Sequence, residues 1–191
     1  MTRKIFVLGL SGSGKSTLIK NSAFFKDFKY VILGDLIKSI GEGATGHTDR
    51  DAIRRESQTE TFKQIQHKAF KKLKETMGEK DIIIDTHALV QTKSGLLPGL
   101  NLDILRYIKP DLVVVVECDP QEMIRRRSRD QGTVRNRDVN DAQELKYVQS
   151  FERDAALVYS VLSAAPLRII NNKEGKLEEA AEELEAAVKS L

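Results

Sequence analysis

The feature that most constrains this 191-residue chain is a glycine-rich segment near its start, Gly9–Ser16, which reads GLSGSGKS. It matches the pattern G-x-x-x-x-G-K-[ST] of a phosphate-binding loop. The apolar run Lys4–Leu8 precedes it and a helical pattern over 15–23 follows it, so the segment joins a strand to a helix. Backbone N–H groups in such a loop converge on an anion, and the following helix N-terminus favours negative charge. The pattern therefore predicts a nucleoside triphosphate site.

Short apolar runs alternate with helical patterns along the rest of the chain. The apolar runs are Lys4–Leu8, Tyr30–Leu33, Asp81–Asp85, Leu112–Glu117 and Leu167–Asn171. The helical patterns cover 15–23, about 50–77, 101–108, a stretch that opens at Asp119-Pro120, 138–163 and 174–190. Nearly continuous apolar runs are typical of strands covered on both faces. The alternation predicts an α/β sandwich around a parallel sheet, with ligands beyond the carboxyl ends of the strands.

Three side chains near these ends have the chemistry of a magnesium–triphosphate site. Lys15 is expected to reach the β- and γ-phosphates, and the Ser16 hydroxyl to coordinate Mg²⁺. Asp85 ends the apolar strand Ile82-Ile83-Ile84, the position of the second magnesium partner in phosphate-loop proteins. ATP and Mg²⁺ are therefore the expected donor and cofactor.

Composition excludes several classes of partner. Apolar residues make up 40 % and charged residues 31 %, which is typical of one globular domain. No apolar run approaches the roughly 20 residues of a membrane span, so we expect no membrane partner. The net charge of +3 is too small to indicate a nucleic-acid partner. The single cysteine, Cys118, excludes an internal disulfide and favours a cytoplasmic location.

Arginines concentrate after the fourth predicted strand. Between residues 125 and 138 there are six arginines against two aspartates. Guanidinium groups bind phosphate bidentately and stabilise charge on a transferring phosphoryl group. The segment 128–137, which contains Gly132, is predicted to fold over the triphosphate as a lid. Arg135 and Arg137 are the candidates for phosphoryl contact because an x-R-x-R loop has little role in packing.

The region 34–60 suits a second substrate. It carries the glycine-rich stretch 41–46, predicted to be flexible, followed by arginines that include Arg54. A nucleoside monophosphate already presents an ionised oxygen near neutral pH, since its second pKa is about 6. Such an acceptor needs no general base, whereas an alcohol acceptor would need one, for which Asp35 is the candidate.

A triphosphate site alone permits a motor, a switch or a kinase. A regulatory GTPase needs Asn-Lys-x-Asp after a late strand, but Asn172-Lys173-Glu174 is followed here by Gly175. A regulatory or RNA-associated NTPase is disfavoured by the small net charge and by the lack of stacking aromatics, with no Trp and four Tyr. A kinase for a nucleoside monophosphate or for a small alcohol is favoured, and a regulatory or RNA-associated NTPase stays as the alternative from another class.

Several motifs together resemble those of the nucleoside monophosphate kinases, most closely the archaeal type of adenylate kinase. Beside the phosphate loop these motifs are Asp49-Arg50-Asp51 with Arg54, Asp85-Thr86-His87, Gly95-Leu96-Leu97-Pro98-Gly99-Leu100-Asn101, Arg135-Asn136-Arg137-Asp138, Tyr159-x-Val161-Leu162 and Ile169-Ile170-Asn171-Asn172. The resemblance covers essentially the whole chain. It implies a P-loop NTPase-type three-layer sandwich with a five-stranded parallel sheet, a monophosphate-binding arm and a short lid.

The resemblance also implies the reaction and the organisation of the chain. One kinase domain over 1–191 would carry the arm at about 35–62 and the lid at about 128–137. It would convert ATP and AMP reversibly into two ADP with Mg²⁺, as a cytoplasmic homotrimer. A different nucleoside monophosphate, or broad base specificity, is the alternative acceptor.

Site roles follow from the resemblance residue by residue. The residues expected to hold the ATP phosphates are Gly9, Leu10, Ser11, Gly12, Ser13, Gly14, Lys15, Ser16 and Thr17. Arg127 would lie at the ATP side, and Arg135 and Arg137 would clamp the transferring group. Gly34 and Arg54 would bind AMP. Bacterial and eukaryotic relatives have an AMP-holding arginine where this chain has Leu89. His87 or Lys93 is therefore predicted to replace it, with Gln91 reading the adenine edge.

Overall fold

A computed structural model of the chain describes residues 2–49, 52–54, 57–130 and 141–191. The strands are β1 (Lys4–Leu8), β2 (Lys29–Ile32), β3 (Ile82–Asp85), β4 (Leu89–Thr92), β5 (Gly95–Pro98), β6 (Leu112–Glu117) and β7 (Leu167–Asn171). The helices are α1 (Lys15–Asn21), α2 (Leu33–Thr45), α3 (Thr59–Thr76), α4 (Leu102–Ile108), α5 (Pro120–Asp130), α6 (Ala142–Ser163) and α7 (Leu177–Lys189).

Five parallel strands form the central sheet in the order β2-β3-β1-β6-β7. All five apolar runs of the sequence are found in it, and the predicted α/β class is confirmed. The chain passes from β1 to the edge strand β2, returns to β3 beside β1, and then crosses to β6 and to the other edge strand, β7. The carboxyl ends of β1, β3 and β6 consequently meet in the middle of the sheet, where ligands bind in such folds.

Alternating side chains of the central strands build two cores. On β1, Ile5 and Val7 pack with α1 and α7, through residues such as Leu18 and Leu184. Phe6 and Leu8 face the opposite core, which α2, α3, α4 and α6 cover. Because both faces of the three central strands β1, β3 and β6 are buried, these strands are apolar along most of their length, and the result is three layers.

The stretch after β2 is more regular than its glycines suggest. The sequence predicts flexibility over 41–46, but α2 continues to Thr45 and ends at Gly46, which has φ 74°. Gly41 is buried against Ile53, and a Cβ at Gly41 would lie 2.7 Å from Ile53 Cγ2. Gly41 therefore permits close helix packing. The predicted helix over 50–77 instead has a helical stretch at 52–54 and α3 from Thr59.

A β-hairpin follows β3 and was not predicted from the sequence. Strands β4 and β5 pair antiparallel, with Gln91 opposite Leu96. The hairpin returns so closely that a Cβ at Gly99 would lie 2.0 Å from the carbonyl oxygen of His87. It therefore closes one side of the segment that leaves β3. In the part of the chain that the structure describes, every helix is too short or too polar to traverse a lipid bilayer.

Candidate active site

The phosphate loop depends on two glycines for its path. Gly9 has φ 141°, and a Cβ there would lie 2.4 Å from the carbonyl oxygen of Val116 on β6. Gly14 has φ 91°, and its Cβ would lie 2.2 Å from Asn172 Nδ2. These φ values are strained for residues with a side chain, and both positions lack room for one. The loop is thereby packed against the ends of β6 and β7.

Side chains from outside the loop hold its carbonyl groups. The Ser13 carbonyl accepts hydrogen bonds from Arg126 Nη1 at 3.1 Å and Asn172 Nδ2 at 2.9 Å. The Ser11 carbonyl accepts one from Arg127 Nε at 2.9 Å. In a planar trans peptide the N–H points opposite to the C=O. The N–H groups that follow Ser11 and Ser13 therefore point away from these side chains.

Lys15 lies within the curve of the loop and is only 6 % exposed. Its Nζ donates to the carbonyl of Gly9 at 2.6 Å and to that of Leu10 at 3.1 Å. The ammonium also lies 3.9 Å from Asp85 Oδ1. A buried cation within a glycine-rich loop that opens a helix is a suitable site for a polyphosphate.

Asp85 is held by two hydroxyl groups at the end of β3. Its Oδ2 accepts hydrogen bonds from Ser16 Oγ at 2.6 Å and from Tyr30 OH at 2.8 Å. Burial and the Asp85 charge raise the pKa of Tyr30, so its hydroxyl stays protonated and donates. Asp85 is itself buried, so these donors offset the loss of water around its carboxylate.

The Ser16–Asp85 pair fits a magnesium ion that is shared with a nucleotide. Mg²⁺ in such sites takes one or two protein oxygens and completes its shell with phosphates and water. A hydroxyl and a carboxylate stand side by side here at the end of the phosphate loop. No cluster of three or more His, Cys, Asp or Glu side chains able to cage a metal occurs within residues 2–49, 52–54, 57–130 and 141–191. The donor set therefore suits an ion that arrives with its nucleotide.

A second pocket lies on the far side of the segment that leaves β3. It is lined by Gly34, Ile37, Arg54, Phe62, Thr86, His87, Val90 and Gly99. Arg54, Thr86 and His87 give it polar groups, whereas Ile37, Phe62 and Val90 provide apolar walls. A guanidinium and an imidazole beside apolar walls suit an anionic group. The cavity has a volume of about 30 Å³, so this conformation does not hold a whole nucleotide.

Comparison with known proteins decides the family. The AAA domain family matches residues 8–146. The adenylate kinase of Methanothermobacter thermautotrophicus is 35 % identical over 96 % of this chain and 98 % of its own length. The adenylate kinase of Methanopyrus kandleri is 35 % identical over 98 % of this chain and 98 % of its own length. That of Pyrococcus abyssi is 33 % identical over 96 % of this chain and 94 % of its own length. The chain belongs to the adenylate kinase family.

Solved structures agree on the fold. Shikimate kinase from Acinetobacter baumannii in complex with shikimate superposes with a TM-score of 0.63, covering all of this chain and 94 % of its own, at 16 % identity. The shikimate kinase of Bacteroides thetaiotaomicron gives a TM-score of 0.56 at 17 % identity, covering 98 % of both chains. At this identity the likeness concerns architecture alone. It confirms the predicted three-layer sandwich with a five-stranded parallel sheet.

The structure brings together most residues that the sequence assigned to this adenylate kinase site. The loop residues and Asp85 meet at one point, Arg127 packs on the loop, and Gly34, Arg54 and His87 line one pocket. Gln91 and Lys93 are exposed on the hairpin and do not line that pocket. Arg135 and Arg137 lie outside the described residues. The roles of all these side chains stay predictions.

Several residues of the site were not found from the sequence. Arg126 and Asn172 grip the loop, and Tyr30 supports Asp85. Arg153 Nε and Nη2 bind the Glu117 carboxylate at 2.7 and 2.5 Å, at the carboxyl end of β6. Glu152 was also missed, although the sequence does carry a signal for it. It is a charged residue among the buried positions of α6, which it shares with Leu145, Ala156 and Tyr159.

Proposed function

We propose that the protein catalyses reversible transfer of the terminal phosphoryl group of ATP to AMP, forming two ADP. The observation that carries this is the position of Asp85-Thr86-His87 between the two sites. Asp85 is bonded to Ser16 of the phosphate loop, and the next two residues line the second pocket. The names of the archaeal relatives support the same reaction.

Catalysis in this arrangement requires positioning and charge rather than a covalent intermediate. The loop amides and Lys15 hold the donor phosphates, and Arg54 holds the phosphate of the acceptor. An ionised monophosphate oxygen attacks without help from a base. Fixing two reactants within contact distance, with cations around the shared phosphate oxygens, accounts for rate enhancement in phosphoryl transfer.

Magnesium is proposed as the cofactor, bound between Ser16 and Asp85. When bound, it supplies charge neutralisation of the phosphate oxygens. Ser16 and Tyr30 both donate a hydrogen bond to one oxygen of Asp85. These two bonds fix the orientation of the carboxylate that would hold the ion.

The arm over about 35–62 and the lid over about 128–137 are proposed to close on the two nucleotides. Arg135 and Arg137 would then enter the site. Arg137→Ala is expected to lower kcat by roughly 100-fold or more with smaller changes in KM, because the contact would form mainly in the transition state. Steady-state kinetics against both substrates measures this. An unchanged kcat would remove Arg137 from the catalytic set.

The reaction itself is tested with an acceptor panel. ATP and Mg²⁺ are incubated with AMP, CMP, UMP, GMP or shikimate, and products are identified by chromatography. ADP formation with AMP as the preferred acceptor supports the proposal. If another nucleoside monophosphate is preferred, the phosphoryl transfer stands but AMP is not the acceptor. Transfer to the alcohol, or hydrolysis without an acceptor, contradicts it. Asp35→Asn adds a check, since only an alcohol acceptor would need that carboxylate as a base.

Self-association as a homotrimer, and a cytoplasmic location, are also proposed. Leu157, Val158, Val161 and Leu162 form an apolar stripe on α6 and are 53 to 71 % exposed. A contiguous apolar patch of this kind marks an interaction surface. Light scattering is expected to give three times the chain mass, and Val161→Glu to lower it. A wild-type monomer would contradict the assembly.

A further inference from the structure

A buried carboxylate in the middle of α6 lies between the two proposed substrate sites. The Glu152 side chain is fully buried, with 0 % exposure. Burying a carboxylate is costly unless hydrogen bonds replace its water. This position in a helix that otherwise buries Leu145, Ala156 and Tyr159 would pack well with an apolar residue. The carboxylate must therefore have a specific set of partners.

Three main-chain amides, from two separate parts of the chain, supply those partners. Glu152 Oε1 accepts from Gly9 N at 3.1 Å and from Ala88 N at 2.5 Å, and Oε2 accepts from Leu89 N at 2.9 Å. Gly9 opens the phosphate loop, whereas Ala88 and Leu89 follow His87 of the acceptor pocket. One carboxylate thus bonds to both sites.

Both attachment points are held from a second direction. The Gly9 carbonyl accepts from Lys15 Nζ at 2.6 Å, so the peptide groups on each side of the Gly9 Cα are fixed. The Ala88 carbonyl accepts from Tyr159 OH at 2.7 Å. Glu152 and Tyr159 are seven residues apart and project from the same face of α6. A movement of the backbone at one site would therefore be transmitted to the other through the hydrogen bonds of Glu152 and Tyr159.

The hydrogen-bond partners favour an acceptor-only group at this point, because all three are N–H donors. Burial raises the pKa of Glu152 above its ordinary value, and the amides of Ala88, Leu89 and Gly9 and the charge of Lys15 offset only part of that rise. Burial also raises the pKa of Tyr159 to about 12, so Tyr159 remains a neutral donor to Ala88. Three N–H groups require two acceptor oxygens, which a carboxylate offers and a carboxamide of the same size does not.

We propose that Glu152 is a positioning residue that ties the phosphate loop to the acceptor pocket, holding the amides of Gly9, Ala88 and Leu89 on one carboxylate. It touches neither nucleotide and acts through the backbone of the two sites. This inference rests on the proposed transfer between ATP and AMP. It adds that Glu152 fixes the distance between the two sites. Glu152 lies on α6, which covers the face of the sheet opposite to α1.

Glu152→Gln tests the role with almost no change in volume. The carboxamide places its NH₂ against at least one amide N–H, so one tie is lost. We expect kcat to fall by about 10- to 100-fold, because a small misplacement of reacting groups has effects of that order. The affinities for ATP alone and AMP alone, measured by calorimetry, should stay within about threefold of wild type. The calorimetric stoichiometry counts folded chains, so partial unfolding is recognised directly.

Glu183→Gln is the matched control, since it makes the same chemical change at an exposed position of α7. Its kinetics should equal those of wild type. The proposal is overturned if Glu152→Gln keeps wild-type kcat, or if its kcat falls only in proportion to the folded fraction. A wild-type enzyme that makes no ADP would instead contradict the proposed function, whatever Glu152 does.

Amide resonances of the wild-type protein provide a measurement that needs no variant. AMP alone should shift the amide proton of Gly9, which lies on the donor side. A non-hydrolysable ATP analogue alone should shift that of Leu89, on the acceptor side. If each ligand shifts only its own side, the two sites are not tied, and the proposal is wrong even if Glu152→Gln fails to fold.

Discussion

Replacing Lys15 with methionine tests the donor site most directly. Methionine keeps an unbranched stem but removes the ammonium that the loop carbonyls of Gly9 and Leu10 surround. Two unit charges about 4 Å apart interact by about 4 kcal/mol at an effective dielectric constant of about 20. If the charge acts mainly on the transition state, kcat should fall roughly 1,000-fold, since about 1.4 kcal/mol corresponds to tenfold.

The fold should tolerate the change. Asp85 loses a cation 3.9 Å away but keeps its hydrogen bonds from Ser16 and Tyr30. The free energy of unfolding should therefore change far less than the activation free energy.

The assay is the initial rate of ADP formation at saturating ATP and AMP, with thermal unfolding followed by circular dichroism. Lys20→Met is the control, because Lys20 is exposed in the last turn of the same helix. A loss smaller than about tenfold in a fully folded Lys15→Met protein would refute the reasoning from charge.

Two further predictions concern the loop and Asp85. Gly14→Ala should weaken ATP binding more than about tenfold and lower the melting temperature. A left-handed backbone costs a residue with a side chain about 1–2 kcal/mol, and Asn172 leaves no room for a Cβ at this position. Gly43→Ala is the control and should change neither quantity, because nothing lies within 4 Å of a Cβ there. Calorimetry and thermal melts decide, and equal affinities would contradict the steric argument. Tyr30→Phe should raise the Mg²⁺ concentration for half-maximal rate several-fold, because Asp85 loses one of the two hydroxyl groups that hold its Oδ2. An unchanged magnesium titration would show that Tyr30 does not orient Asp85.

The sheet and the phosphate loop could be predicted because their signals are local. The strands β1, β3 and β6 are short apolar runs that are buried on both faces, so their composition alone reveals them. The edge strands β2 and β7 are more exposed but still carry enough apolar residues to show the same pattern. The loop pattern depends on glycines whose φ values and close contacts forbid other residues, as Gly9 and Gly14 show. Asp85 followed from its place at the end of such a run.

Other parts depend on contacts between distant residues and left little trace in the sequence. The sequence predicts flexibility at Gly41, whereas in the structure Ile53 packs against this glycine and leaves no room for a side chain. Gln91, the predicted reader of the adenine edge, lies on the exposed face of the hairpin by strand alternation, while Val90 lines the pocket; its role stays a prediction. The grip of Arg126 and Asn172 on Ser13 joins residues 113 and 159 positions apart. No local pattern encodes such pairings.

The strand order has a consequence for how acceptors can diversify. The pocket walls come from chain that follows β2 and β3, on one half of the sheet. The side chains that grip the loop carbonyls follow β6 and β7, on the other half. Acceptor recognition and the grip on the phosphate loop are thus divided between two halves of one scaffold, which Asp85 and Glu152 join. Grafting foreign segments after β2 and after Asp85, with β3 itself kept, would exchange the acceptor pocket while the phosphate loop kept its contact with Asp85.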